Sequence, residues 1–280
     1  MGKSKIRIPA VAGQFYQSSA SALKSQIEGL LNFSSSQKQG SDKKIDVIAC
    51  MLPHAGYMYS GGVAAQTVQR INIKDKVILL GPNHTGCGAQ FSIMTEGIWQ
   101  TPLGEVKIDN LLAKQILKSS RYLEDDTGAH LKEHSLEVEL PLLQYFRPDF
   151  EIVPIVLIAD EISILKEIGK DIAFAIKDSN LVNSTMIVAS SDLTHYEPQA
   201  QAIKKDREAI DAILDLNEDR LMEKVQQLRL SMCGYAPVVV MLVAAKLLGA
   251  KAGKLIIYQT SGDITGDKSS VVGYAGTIIY

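Results

Sequence analysis

Continuous apolar runs at residues 47–52, 77–81, 152–158 and 186–189 punctuate the chain. Runs of this length without apolar–polar alternation predict strands buried on both faces of a parallel sheet. Between them, apolar positions recur at helical spacing. Leu23, Ile27, Leu30 and Leu31 predict a helix over 21–31. Further helices are expected over 61–71, 109–118, 134–146, 162–176, 198–214 and 218–227. Residues 233–248 are apolar all round, so the helix they form should be buried. Residues 91–108 hold short segments around a Pro102-Leu103-Gly104-Glu105 turn and read as antiparallel or edge strands. Strands over 255–259 and 273–279 close the chain.

Strand 47–52, the helix after it and strand 77–81 form a β-α-β unit, which implies a parallel pair with a right-handed crossover. Strands and helices alternate to the end, with no repeat and no linker between domains. The fold class is therefore α/β: one domain over 1–280, with a mostly parallel central sheet and helices on both faces. The polar segment 34–44 (SSSQKQGSDKK) reads as an exposed, mobile loop inserted in that domain.

Composition narrows the classes of function. The 280 residues are 46% hydrophobic and 21% charged, with a formal net charge of −2. That allows a large core and lacks the basic stripe of a nucleic-acid binder. Cys50, Cys87 and Cys233 show no paired spacing, which argues against a disulfide framework and fits a reducing compartment. No apolar stretch follows residues 1–7, so no signal peptide is expected. The longest apolar run, 236–245, is too short to span a bilayer. The expectation is a cytoplasmic protein with neither nucleic acid nor membrane as partner.

Two histidines stand in equivalent places. His54 follows the first strand through Pro53, and His84 follows the second through Gly81-Pro82-Asn83. Loops past the carboxyl ends of parallel strands are where ligands and catalytic groups gather. One such histidine can simply bond to backbone. Two on neighbouring strands favour a metal or catalytic site, because imidazole is the commonest protein metal ligand. Cys233 precedes Gly234-Tyr235-Ala236-Pro237 at the start of the buried helix, where the dipole lowers a thiol pKa; a small core residue is the plainer reading. Asp192 and His195 follow strand 186–189 and could pair for proton transfer, or cap a helix and face solvent. His130 and His134 are four apart, as are Glu133 and Glu137, so each pair would share a helical face. Their order is not H-E-x-x-H, and no G-x-S-x-G elbow surrounds Ser190 or Ser191. Asp263 adds a carboxyl group at the same edge, with turn chemistry as the alternative.

Several ordered motifs go further. They are Pro9-Ala10-Val11-Ala12-Gly13-Gln14-Phe15-Tyr16, Pro53-His54-Ala55-Gly56-Tyr57, Gly81-Pro82-Asn83-His84 and Thr101-Pro102-Leu103-Gly104. Glu133-His134-Ser135-Leu136-Glu137-Val138, Ser190-Ser191-Asp192-Leu193-Thr194-His195-Tyr196, Cys233-Gly234-Tyr235-Ala236-Pro237 and Thr260-Ser261-Gly262-Asp263 complete the set. Together they resemble the Memo family, called AmmeMemoRadiSam system protein B in prokaryotes, over essentially the whole chain. The resemblance implies a fold similar to class III extradiol dioxygenases, which hold non-haem iron with two histidines and a carboxylate. It implies a pocket whose two histidines and cysteine are His54, His84 and Cys233, with Asp192 and His195 as further pocket residues. It also implies iron or copper binding, redox activity, a functional association with a radical SAM protein and the Amme component, and, in animals, signalling that affects motility.

A set of two histidines and one cysteine suits copper or iron, and zinc fits as well. Three protein ligands leave an open position for water, dioxygen or substrate. The leading expectation is a metal-dependent redox enzyme. His54, His84 and Cys233 are the ligands, His195 the proton donor or acceptor, and Asp192 the group that orients it. The alternatives are a non-catalytic module that holds a small molecule, a peptide or a partner protein in the same pocket, and a hydrolase with Cys233 as nucleophile.

Overall fold

The four continuous apolar runs do form the middle of one mixed sheet. A computed structural model describes residues 5–33, 44–158 and 161–280; the segment expected as a mobile loop lies outside the described residues except for Lys44. The chain begins with β1 (Ile6–Arg7), α1 (Ala20–Phe33), β2 (Ala49–Leu52), α2 (Gly61–Gln69) and β3 (Lys76–Pro82). Then come β4 (Phe91–Ile93), β5 (Ile98–Thr101), β6 (Gly104–Ile108), α3 (Asn110–Ser119), β7 (Glu124–Asp125) and α4 (Glu139–Phe146). The next are β8 (Glu151–Leu157), α5 (Ile162–Asp178), β9 (Thr185–Ser190), β10 (His195–Glu197) and α6 (Gln199–Leu214). Last are α7 (Glu218–Gln227), α8 (Tyr235–Leu247), β11 (Gly253–Thr260), α9 (Ser261–Thr265) and β12 (Val271–Ile279).

The sheet runs β1-β5-β6-β8-β3-β9-β2-β12-β10. Every neighbouring pair from β6 to β2 is parallel. Antiparallel pairs flank this centre: β5 with β6 on one side, β12 with β2 and β11 on the other. The protein is thus a single α/β domain whose mostly parallel sheet is flanked by helices.

One expected neighbour relation fails. β2 and β3 are parallel but not adjacent, because β9 lies between them and pairs with both. All six β9 residues are buried, so the strand takes a central place that a neighbour must cover on each side. Periodicity reveals a buried strand but not its neighbours. The consequence is functional: the Ser190-Ser191-Asp192 segment leaves the sheet between the two histidine loops.

A second difference concerns the helix expected from residue 134, which starts only at Glu139. The Glu133 carboxylate turns back on the N–H groups of His134 and Ser135, at 2.9 and 2.8 Å. Such local side-chain acceptors compete with helix formation. Glu137 reaches away from its own segment altogether, to a buried ion pair with Arg7 at 2.6 Å. The helical-face pairing expected for these four residues is therefore absent.

Helix α8 is buried from Ala236 to Ala245. It packs on α5, where Gly169 permits the approach: a Cβ there would lie 2.8 Å from both Val240 O and Val243 Cβ. Burying each valine or leucine of such a helix contributes about 1.5–3 kcal/mol, so its N-terminus is a firmly placed anchor for Cys233. Among the described residues, no helix is long and apolar enough to cross a membrane.

Candidate metal centre

Three loops and one helix start meet at the carboxyl edge of β2, β9 and β3. Neighbouring strands lie about 4.8 Å apart, so the β2 and β3 backbones stand roughly 10 Å apart across β9. The imidazoles lean inward over the end of β9, and the His54 and His84 rings approach to 5.0 Å. Cys233 completes the group, with Sγ 3.1 Å from His54 Nε2. One ligand atom from each of His54, His84 and Cys233 lies within 4.8 Å of the others. That span matches donors sharing one ion at metal–ligand bonds of about 2.0–2.3 Å.

Both imidazoles are held from behind. Ser190 Oγ lies 2.8 Å from His54 Nδ1, and Asp192 Oδ1 accepts from the His54 N–H at 2.8 Å. Burial pushes the His54 pKa well below its usual value, and the nearby His84, His134 and His195 act in the same direction. A neutral imidazole is the form that binds metal. His84 is gripped by Glu133, which accepts from its N–H at 2.5 Å and from its Nδ1 at 2.9 Å. With Nδ1 committed to a carboxylate, Nε2 is the nitrogen offered to a metal.

Helical periodicity predicts His134 on a helix, whereas the structure brings it to this group. Its ring stacks on His84 at 4.6 Å and stands edge-on to His54 at 5.6 Å. His84, Glu133 and His134 also satisfy the spacing of a metal-binding group. Yet both Glu133 oxygens already accept N–H groups, from His84, His134 and Ser135, so this carboxylate acts as an anchor. The signal available in the sequence was the Glu133-His134-Ser135 motif, which helical periodicity obscured.

A family model described as Memo-like protein matches residues 7–278. The chain belongs to the Memo-like family. It is 44% identical to a MEMO1 family protein of Methanocaldococcus jannaschii, across 99% of each chain. It is 43% identical to one from Aquifex aeolicus, across 98% of this chain and 99% of the relative. An uncharacterized protein from Escherichia coli K12 has a similar fold, with a TM-score of 0.53 over 82% of this chain and 98% of that one, at 14% identity.

Within this Memo-like site, two sequence expectations change. A dipole at a helix start would lower the Cys233 thiol pKa, with a small core residue as the plainer reading. Burial instead pushes its pKa up, and the Asp192 carboxylate adds to the rise; α8 begins two residues later, so its dipole does not dominate. Asp192 was expected to orient His195. The His195 Nδ1–H donates to Leu193 O at 2.7 Å, so a backbone carbonyl sets that ring. His195 still lies close enough for its charge to act on His54 and Asp192. Burial pushes Asp192 up to about 6, against the lowering effect of the His54 N–H and His195. Asp263 caps α9 through the Thr260 N–H at 2.8 Å and receives Gln199. That is the turn chemistry given as its alternative.

Two predictions arise from this geometry. Burial alone would raise the Glu133 pKa, but the hydrogen bond and charge of His84, the Ser135 N–H and His134 outweigh it and bring it down to about 2. A carboxyl depressed in the folded state adds stability that is complete above its unfolded pKa and is lost as pH falls through its folded one. Glu133 is therefore expected to contribute about 3 kcal/mol at neutral pH, lost between about pH 4.5 and 2. Denaturant unfolding of wild type and Glu133→Gln over that range checks it: the gap between them should close with acid. The second prediction concerns Gly234. A Cβ there would fall 2.3 Å from Ser190 O and 2.5 Å from Ser191 Cβ. Gly234→Ala is expected to cost about 1–3 kcal/mol by overpacking, since the backbone oxygen cannot yield freely. An unchanged unfolding midpoint would contradict that contact.

Proposed function

We propose that this Memo-like protein is a metal-dependent redox enzyme with His54, His84 and Cys233 as its metal ligands. The observation that carries this reading is the 3.1 Å approach of Cys233 Sγ to His54 Nε2, inside a group whose ligand atoms all lie within 4.8 Å. The donor set fits a borderline-soft transition ion, iron or copper first and zinc as well. When bound, such an ion supplies Lewis acidity and, for iron or copper, one-electron redox chemistry at an open coordination position.

The chain's own groups do the rest. Glu133 and Ser190 fix the two imidazoles. Asp192 holds the His54 backbone and, with a pKa near 6, can exchange a proton at neutral pH. His195 has its Nδ1–H tied to Leu193 O, which leaves the Nε2 lone pair as the place where a proton can be taken up and released. Loading the protein with Co(II) tests the ligand set. A sulfur-to-metal charge-transfer band is expected in wild type and absent in Cys233→Ser; the same spectrum in both would remove Cys233 from the site.

One observation favours a second reading. Met58, four residues beyond His54, is 63% exposed, and Tyr196, next to His195, is 79% exposed. Apolar and aromatic groups left open beside a pocket are what a peptide or partner protein covers. The pocket would then be a binding module, for a partner such as a radical SAM protein. Partner binding that survives His54→Ala and His84→Ala would favour this reading, and dioxygen consumption by metal-loaded protein would favour the enzyme.

A further inference from the structure

Behind His54, three polar groups crowd a single hydroxyl. Ser190 Oγ lies 2.7 Å from Ser135 O, 2.9 Å from Glu139 Oε1 and 2.8 Å from His54 Nδ1. All four residues are buried. A serine hydroxyl owns one hydrogen and two lone pairs. Ser135 O can only accept, so the Ser190 hydrogen must point there. The other two contacts then need hydrogens of their own, one on Glu139 and one on His54 Nδ1. No other assignment places a proton in each of the three short contacts.

We propose that Glu139 is held as a neutral carboxylic acid that donates to Ser190 Oγ, and that this arrangement commits His54 to the tautomer with its hydrogen on Nδ1 and its Nε2 lone pair turned toward Cys233. Glu139 is thus a positioning residue that touches no metal or substrate. The start of α4 favours a carboxylate anion there, but full burial opposes it. The titratable groups that act on Glu139 or feel it are Asp192, Cys50 and Tyr57, none of them a cation. Burial, with the Asp192 carboxylate adding to it, pushes its pKa well above the usual range, and its contact with Ser190 does not reverse that rise. Glu139 Oε2 has no partner among the described residues, which a neutral acid tolerates better than an anion. The consequence for metal binding rests on the proposed metal centre; the protonation itself does not.

Metal-free protein tests the inference. With glutamate labelled with carbon-13, the infrared spectrum at neutral pH is expected to show one protonated carboxyl C=O band, which Glu139→Gln removes. Because the folded state keeps a proton that the unfolded chain releases above a pKa of about 4.5, the wild-type folding constant should fall tenfold per pH unit relative to Glu139→Gln. Nitrogen-15 NMR should place the His54 proton on Nδ1. Carboxylate bands alone, or parallel pH profiles for the two proteins, would overturn the proposal, and the wild-type spectrum decides even if the variant does not fold. Metal affinity is the separate arm: Ser190→Ala is expected to weaken it by ten- to a hundredfold. Protein that shows the acid band and the Nδ1 proton but binds no metal would leave this inference standing and sink the metal centre. Protein that binds metal without the acid band would do the reverse.

Discussion

Replacing Glu137 with alanine is expected to destabilise the fold by about 3–5 kcal/mol, because it strands a buried guanidinium. Arg7 and Glu137 are both 0% exposed and 2.6 Å apart. Arg7 also donates to His130 O at 2.8 Å and Glu133 O at 2.6 Å, and its guanidinium lies 4.1 Å from the centre of the Trp99 ring. Glu137 in turn accepts from the N–H groups of Ala10 and Val11 and from the Tyr16 hydroxyl. The pair therefore ties the N-terminal arm to the segment that carries Glu133 and His134. Removing both charges together, as Arg7→Met with Glu137→Leu, should cost less than the sum of the single losses, since no uncompensated charge remains. A double-mutant cycle by denaturant unfolding measures this. Single losses below 1 kcal/mol would show that the pair is not load-sharing in solution.

The second large effect falls on metal binding. His54→Ala, His84→Ala and Cys233→Ser each remove a donor, so each should lose more affinity than any change outside the three. Glu133→Gln touches no ligand atom. Its amide can still accept from His84, but it carries no charge and cannot accept at both atoms as the carboxylate does. A loss of ten- to a hundredfold is expected, the usual range for a group that orients a ligand from behind. His195→Ala should leave affinity near wild type, because His195 is tied to Leu193 O and belongs to neither ligand group.

Much of this architecture could be read from the chain. The buried strands announced themselves as unbroken apolar runs, and α8 as a helix apolar on all sides. His54 and His84 were legible because each follows such a run directly, a local relation. What was not legible depends on long-range partners. The insertion of β9 between β2 and β3 is a choice among equally apolar neighbours, which no periodicity encodes. His134 was hidden because Glu133 and Glu137 sit four apart, a helical spacing, while the Glu133 carboxylate takes the N–H groups of Ser135 and the distant His84, and Glu137 that of Ala10. The raised Cys233 pKa escapes the sequence for a related reason: the helix start is visible there, but the burial and the facing Asp192 are not. The short elements β10 and α9 carry too few residues for any period to show.

The most direct test of the central claim is a metal titration of anaerobically prepared protein, with elemental analysis of wild type, His54→Ala, His84→Ala and Cys233→Ser after removal of excess ion. One transition-metal ion per wild-type chain is expected, with a loss of bound metal in each of the three variants. Equal metal in all four proteins, each folded by its unfolding profile, would contradict it.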